Sequence, residues 1–158
     1  MSKYSVYLCG SMSDQKNYGR EWRKRENTWL ANRGISCFNP CTEEKRWTGE
    51  FDLPKNFPLH KWNRLPQPLQ EKIIRADLRQ VKYKTWFVLV YFTRYSTGTI
   101  SEITTAFDYD VPVYFVTRRK LRGWPGTVAG KEGNRVFRTF EELHNFLSVK
   151  YRLKKIKL

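Results

Sequence analysis

An unbroken run of seven apolar residues at positions 86–92 (WFVLVYF) constrains the fold of this chain more than any other feature. A strand covered on one face alternates apolar and polar residues, whereas a strand covered on both faces is apolar throughout. The run therefore predicts the central strand of a parallel sheet, with helices packed on both of its faces.

Strand and helix patterns alternate along the rest of the chain. Further strands are predicted at residues 4–8, 35–38 and 111–116, with a short fifth strand at Val136 and Phe137. Helical spacing predicts helices at 17–33, 67–81 and 99–107, and a last helix after a capping box of Thr139 and Glu142. The order predicts a single-domain α/β fold, a doubly wound parallel sheet of five strands in the flavodoxin-like order.

Two segments fall outside this alternation. Residues 41–65 are rich in aromatic side chains without a clean period, and we expect a long insert that either forms a wall of a binding site or simply covers the core. Residues 117–134 are basic and glycine-rich and are predicted to be a second loop. We expect one domain over residues 1–149 and a basic C-terminal tail over 150–158.

The formal net charge of +15 favours anionic ligands or polyanions. Residues 118–158 hold twelve Lys or Arg against three Glu, so most of the excess is C-terminal. This basic C-terminus is either a solvated tail or a contact for nucleic acid.

The number of cysteines and the lack of long apolar stretches indicate the cellular compartment of the protein. Three cysteines and two histidines do not make a structural zinc site, and an odd cysteine count argues against a secreted disulfide framework. No stretch of about 18 apolar residues is present, and the first ten residues do not resemble an export signal. We expect a cytoplasmic protein that does not enter a membrane.

Small and hydroxyl-bearing residues follow two of the predicted strands. In open parallel sheets, ligands bind outside the carboxyl ends of the strands. The backbone N–H groups and side-chain hydroxyls of such small residues can donate hydrogen bonds to a sugar or a phosphate. These residues are the candidate binding group: Cys9, Gly10, Ser11 and Met12 after the first strand, and Ser96 and Gly98 after the third.

Two carboxylates are candidates for chemistry. Asp77 lies four residues after Ile73 and four before Val81, which places it on the inward face of its helix, where a charge is paired or functional. Glu102 follows the second loop by one helical turn. Thr99 and Glu102 also form a capping box, in which Glu102 bonds only to the start of its own helix, and both interpretations remain open.

Four segments together resemble the nucleoside 2-deoxyribosyltransferase family, which includes a branch of 2'-deoxynucleoside 5'-monophosphate N-hydrolases. They are VYLCGSM at 6–12, Asn39-Pro40, ADLRQVKYKTWFVLVY at 76–91, and STGTISEITTAFDYDVPVYFV at 96–116. The insert and the basic C-terminus lie outside this resemblance. It implies cleavage or exchange of the N-glycosidic bond of 2'-deoxynucleosides or their 5'-monophosphates.

The resemblance implies a role for each of three residues. Glu102 corresponds to the nucleophile that forms a covalent deoxyribosyl-enzyme, and Asp77 to the acid that handles the proton of the base. Tyr7 corresponds to a tyrosine that holds the nucleophile, although an ordinary sheet residue would also fit this position. The substrates implied are a deoxyribonucleoside or deoxyribonucleotide and a free nucleobase, without metal or organic cofactor, on a homodimer or larger homo-oligomer with a shared site.

One departure from the family pattern bears on the substrate. Transferases that use free nucleosides carry an Asp six residues before the nucleophile, where this chain has Ser96. A serine can donate to a 5'-phosphate that a carboxylate would repel. Arg20, or Arg23 beside it, is the expected cation for such a phosphate. This favours the alternative of a monophosphate N-hydrolase that uses water.

A rival function of another class follows from the charge. The fold could serve as a non-catalytic nucleic-acid-binding module, with aromatic rings of the insert stacking on bases and Lys or Arg neutralising phosphates. The rings concerned are Trp47, Phe51, Phe57 and Trp62.

Overall fold

Five parallel strands form one sheet in the order β2-β1-β3-β4-β5. The computed structural model describes residues 4–12, 16–43 and 62–156. Strands β1 and β3 are neighbours in the interior of the sheet, which is the predicted flavodoxin-like order. The strands are β1 (Ser5–Gly10), β2 (Cys37–Phe38), β3 (Thr85–Tyr91), β4 (Val113–Val116) and β5 (Arg135–Phe137).

Helices cover both faces of this sheet. Helices α1 (Arg20–Ala31) and α5 (Phe140–Lys150) pack on one face. Helices α2 (Gln67–Lys84), α3 (Thr97–Asp108) and α4 (Gly123–Gly130) pack on the other. The predicted doubly wound α/β fold is therefore confirmed. Within the described ranges, none of these helices combines the length and the apolar character needed to cross a bilayer.

Strand β3 has the central position that its apolar run predicts. Phe87 and Leu89 join the core beneath α1 and α5, whereas Val88 and Val90 join the core beneath the other helices. All four side chains have 0% exposure. Both faces of β3 are buried, so no position in its middle tolerates a polar residue.

Several element ends differ from the predicted ones. The first helix is preceded by a 3-10 turn, Lys16–Gly19, and starts at Arg20 because Gly19 adopts a left-handed conformation with φ 71°. Strand β4 begins at Val113 instead of 111, since Pro112 has no N–H to give to the sheet. The second strand contains only two residues of the predicted 35–38.

The prediction of a loop throughout residues 117–134 is wrong, because α4 lies inside it. Three glycines in the sequence GWPGTVAG argue against a helix, at about 1 kcal/mol each relative to alanine. Packing outweighs this cost, since Pro125 and Val128 are buried against the rest of the domain. The nearly buried side chain of Asn134 accepts from Val113 N and donates to Val128 O, both at 2.7 Å, and so ties the end of α4 to β4.

The residues after α5 fold back onto the domain. The ring of Tyr151 stacks on Phe87 with centroids 5.5 Å apart, and its hydroxyl lies 2.7 Å from the hydroxyl of Tyr114. Ile156 N donates to Asn32 O at 2.9 Å. The backbone of the predicted tail is therefore anchored as far as residue 156, while Arg152, Lys154 and Lys155 remain exposed.

The Asn134 bridge has a measurable consequence. Asn134→Ala leaves the buried N–H of Val113 without its partner and removes one of the two donors to Val128 O, the other being Lys131 N, so we expect the free energy of unfolding to fall by about 1–3 kcal/mol. Urea denaturation followed by circular dichroism measures this change. The exposed Asn145→Ala on α5 is the control and changes stability by less than about 0.5 kcal/mol. An equally small effect of Asn134→Ala would contradict the bridging role.

Candidate active site

A cavity of about 400 Å³ opens at the carboxyl edge of the sheet, between the end of β1, the middle of α2 and the start of α3. This is the position at which ligands bind in doubly wound folds. Seven of the ten predicted site residues line it: Gly10, Ser11, Met12, Asp77, Ser96, Gly98 and Glu102.

A short hydrogen bond joins β1 to α3 beside this cavity. The hydroxyl of Tyr7 donates to Oε1 of Glu102 at 2.7 Å, across 95 residues of sequence. Tyr7 is fully buried, and its ring stacks on Phe38 with centroids 5.3 Å apart. Tyr7 therefore fixes one oxygen of a carboxylate that lines the cavity.

The capping-box interpretation of Glu102 is wrong. Helix α3 begins two residues earlier than predicted, and its N-cap is Ser96, whose Oγ accepts from Thr99 N at 3.3 Å. Glu102 consequently lies in the second turn instead of the first. Its carboxylate accepts from Tyr7 of β1.

The surroundings of Glu102 raise its pKa. Burial is the main cause, since it penalises the charged form, while hydrogen bonds from Cys9 and Tyr7 and the positive charge of Arg23 lower the pKa in part. Burial and the nearby charge of Glu102 raise the pKa of Tyr7 and of Cys9 well above their ordinary values. Both groups therefore keep their protons near neutral pH and act as donors to the carboxylate.

Arg23 holds the end of β1 from below. Its side chain is almost fully buried and donates to three backbone carbonyls, at Leu8 O (3.4 Å), Gly10 O (2.7 Å) and Gly19 O (3.3 Å). The sequence suggests Arg23 only as an alternative to Arg20 for the phosphate cation. Its contacts instead make it an anchor of the first loop, and its charge partly offsets the burial of Glu102.

Asp77 faces the same cavity from α2. Ile73 and Val81, one turn before and after it, are buried, so Asp77 lies on the inward side of the helix. It is partly exposed and lines the cavity together with Glu102. The structure thus brings together the two carboxylates that the sequence selects.

Two predicted binding residues do not line the cavity. Cys9 is fully buried, with its Sγ 4.0 Å from Thr99 O, and lies beneath the cavity wall. Arg20 is exposed at the first position of α1. A phosphate role for Arg20 therefore remains a prediction without a contact in the cavity.

The first loop offers the cavity an unused hydroxyl. Ser11 Oγ is buried and makes no hydrogen bond with any residue in the described ranges. A buried hydroxyl without a partner is costly, and a polar ligand atom in the cavity would supply one. Gly10 allows the loop to lie here, because a Cβ would come within 2.8 Å of Tyr91 O.

Half of the residues that line the cavity are not among those predicted from the sequence. Trp62 was considered only as a ring of the insert, whose members Trp47, Phe51 and Phe57 lie outside the described residues. Residues 73, 74 and 78 are apolar and lie at helical spacing around Asp77 on α2. This pattern predicts that they form an apolar wall beside Asp77. The added lining residues are Trp62, Ile73, Ile74, Leu78, Thr97, Thr99 and Ser101.

Comparison with known proteins adds no family assignment. No protein-family model matches the chain, and no curated protein matches it significantly. Among the described residues, no group of three or more His, Cys, Asp or Glu side chains is arranged to hold a metal ion.

The Tyr7 contact can be tested by titration. Tyr7→Phe removes a hydrogen bond that favours the ionised form of Glu102, so we expect the pKa of Glu102 to rise further above 4.5. Carbon-13 NMR of side-chain-labelled glutamate measures this pKa. Tyr114→Phe, which removes a hydroxyl from the opposite face of the sheet, should leave it unchanged. A titration of Glu102 that is identical in wild type and Tyr7→Phe would refute the contact.

Proposed function

We propose that this protein cleaves or exchanges the N-glycosidic bond of 2'-deoxynucleosides or their 5'-monophosphates through a covalent deoxyribosyl-Glu102 intermediate. The observation that carries the proposal is the 2.7 Å bond from Tyr7 to Glu102 beside a cavity that also contains Asp77. The resemblance to nucleoside 2-deoxyribosyltransferases assigns the same three residues to the reaction.

In the first step, the carboxylate of Glu102 attacks C1' of the sugar on the face opposite the base. A C1'–O bond forms while the C1'–N bond breaks, and the electron pair of that bond passes to the base nitrogen. The carboxyl of Asp77 gives its proton to the departing base. The products of this step are a deoxyribosyl ester of Glu102 and a neutral base.

In the second step, a new base or a water molecule attacks C1' from the side that the first base left. Asp77 takes the proton of this nucleophile, and Glu102 departs as a carboxylate. Two inversions at C1' give overall retention of configuration. The acceptor alone distinguishes a transferase from an N-hydrolase.

Burial of Glu102 favours the intermediate. The burial that raises the pKa of the carboxyl penalises its negative charge, and esterification with the sugar removes that charge. The hydroxyl of Tyr7 keeps one oxygen of Glu102 fixed, and the residue lines the cavity. Tyr7 thus orients Glu102, and burial makes its free carboxylate less stable.

The cavity suits the two parts of a nucleoside. Its volume lies within the roughly 300–1,000 Å³ of small-molecule sites. Trp62, Ile74 and Leu78 give an apolar wall beside Asp77 for the base. Ser11 and Thr97 give hydroxyls on the side of β1 and α3 for the sugar or its phosphate. The hydroxyl of Ser96 already donates to Thr99 Oγ1 at 2.8 Å, whereas the hydroxyl of Ser11 has no partner within the described residues.

The same proposal includes a cytoplasmic location and a homodimer or larger homo-oligomer, both implied by the sequence and its resemblance. Sedimentation of the purified protein measures the assembly.

Loss of Glu102 provides the test of function. Wild type is incubated with a panel of deoxynucleosides and their 5'-monophosphates, and free base is measured by chromatography. We expect Glu102→Ala to reduce base release by at least about 1,000-fold, because the proposed ester to Glu102 then does not form. In wild type, the rate should rise as the pH passes the pKa of Glu102, which lies above 4.5.

Glu132→Ala, which removes an exposed carboxylate outside the cavity, is the matched control and should keep wild-type activity. A second base added in excess identifies the acceptor: exchange indicates a transferase, and unchanged release into water indicates a hydrolase. A folded Glu102→Ala that releases base within tenfold of wild type would end the proposal. A wild type that binds nucleic acid but releases no base would favour the binding module.

A further inference from the structure

We infer that the carboxyl edge of the sheet binds single-stranded DNA beside the cavity, so that the substrate includes a nucleotide within a DNA strand. This inference rests on the proposed function and extends its substrate class. The surface concerned, called the basic rim below, consists of the loops after β3 and β4 and the start of α4: Arg94, Tyr95, Arg118, Arg119, Lys120, Arg122 and Trp124.

The charge of the rim has one sign. Residues 117–130 contain four Lys or Arg and no Asp or Glu, and the loop before α3 adds Arg94 without an acidic residue. All five cationic side chains are exposed. Such a surface fits a partner that presents regularly spaced negative charges, as the phosphates of a nucleic acid do.

Two aromatic rings on the rim are exposed and held in place. Tyr95 is 58% exposed, although its ring packs edge-on against Phe92 and its hydroxyl donates to Arg122 O at 2.9 Å. Trp124 is 60% exposed, and its Nε1 donates to Thr104 Oγ1 at 2.6 Å. Fixed rings with free faces are stacking platforms for unpaired bases, which a membrane surface or an acidic peptide would not need.

Both rings are connected to α3, whose first turns line the cavity. Tyr95 immediately precedes Ser96, which lines the cavity. Trp124 contacts Thr104, which lies one turn after the lining residue Ser101 on α3. A strand stacked on these rings would therefore pass the cavity mouth and could place one nucleotide inside it.

The reaction itself requires a nucleotide that is outside a base-paired stack. In a duplex, C1' and the glycosidic bond lie within the stacked helix, and enzymes that act on a base must extrude it or use an unpaired strand. The rings and cations of the rim provide the contacts that unpaired DNA needs on either side of an extruded nucleotide.

Fluorescence anisotropy with a labelled single strand of about 12 nucleotides tests binding. The triple variant Arg118→Ala/Arg119→Ala/Lys120→Ala should bind the strand at least about tenfold more weakly. The slope of the logarithm of its association constant against the logarithm of the salt concentration should be shallower by about 2, because three phosphate contacts are lost. The triple variant Arg152→Ala/Lys154→Ala/Lys155→Ala removes the same charge from the exposed C-terminal residues and should change the affinity by less than about twofold. Tyr95→Ala and Trp124→Ala should each weaken binding by about tenfold.

Base release from a 5'-monophosphate and from the oligonucleotide, measured on the same variants, separates this inference from the proposed function. The rim variants should lose kcat/KM for the oligonucleotide only. If wild type turns over the mononucleotide but neither binds nor cleaves the single strand, the inference fails and the proposed function stands. If wild type releases base from neither substrate, the proposed function fails.

Two further outcomes would overturn the inference. Equal loss of DNA affinity in both triple variants would show that the strand is attracted by the overall positive charge of the protein and not by the basic rim. Dissociation of an oligomer by Tyr95→Ala or Trp124→Ala in sedimentation, with unchanged DNA affinity, would show that the rim joins copies of this chain.

Discussion

The hydrogen bond between Tyr7 and Glu102 is the contact on which the proposed site depends, because it links the sheet to the helix that carries the carboxylate. It requires β1 to present Tyr7 to the face on which α3 packs, and α3 to begin at Thr97 so that Glu102 lies above that strand. Arg23 supports the arrangement by holding the end of β1 through two of its carbonyls. The carboxylate is therefore positioned by core elements of the fold and not by a surface loop.

This placement opposes stability at neutral pH. Burial raises the pKa of Glu102, so its protonated form adds to stability at pH values below about 4.5, and this contribution is lost as the pH rises through the pKa of the folded state. The ionised residue must then be held by the rest of the structure. The donors Tyr7 and Cys9 and the charge of Arg23 reduce the penalty, and the two apolar cores on the faces of the sheet offset the remainder. Carboxylates whose pKa is raised by burial occur frequently in active sites.

The sequence predicted those features that local patterns determine. The apolar run at residues 86–92 identified the central strand, and the positions of Ile73 and Val81 oriented Asp77 inward. Local patterns gave wrong predictions where contacts between distant residues determine the structure. Helix α4 contains poor helix formers, but buried Pro125 and Val128 and the side chain of Asn134 stabilise it. Likewise, the capping-box pattern around Glu102 gave no means to recognise a partner 95 residues away, and only the resemblance to a family pointed to Tyr7.

The central claim is that Glu102 becomes covalently bound to the sugar. Incubation with a 2'-fluoro deoxynucleoside analogue, whose fluorine slows release of the sugar, followed by intact-mass measurement and peptide mapping, tests it most directly. We expect one added fluorosugar per chain, located on the peptide that contains Glu102 and absent in Glu102→Gln. A sugar adduct on another residue, or base release from the analogue without any adduct, would contradict it.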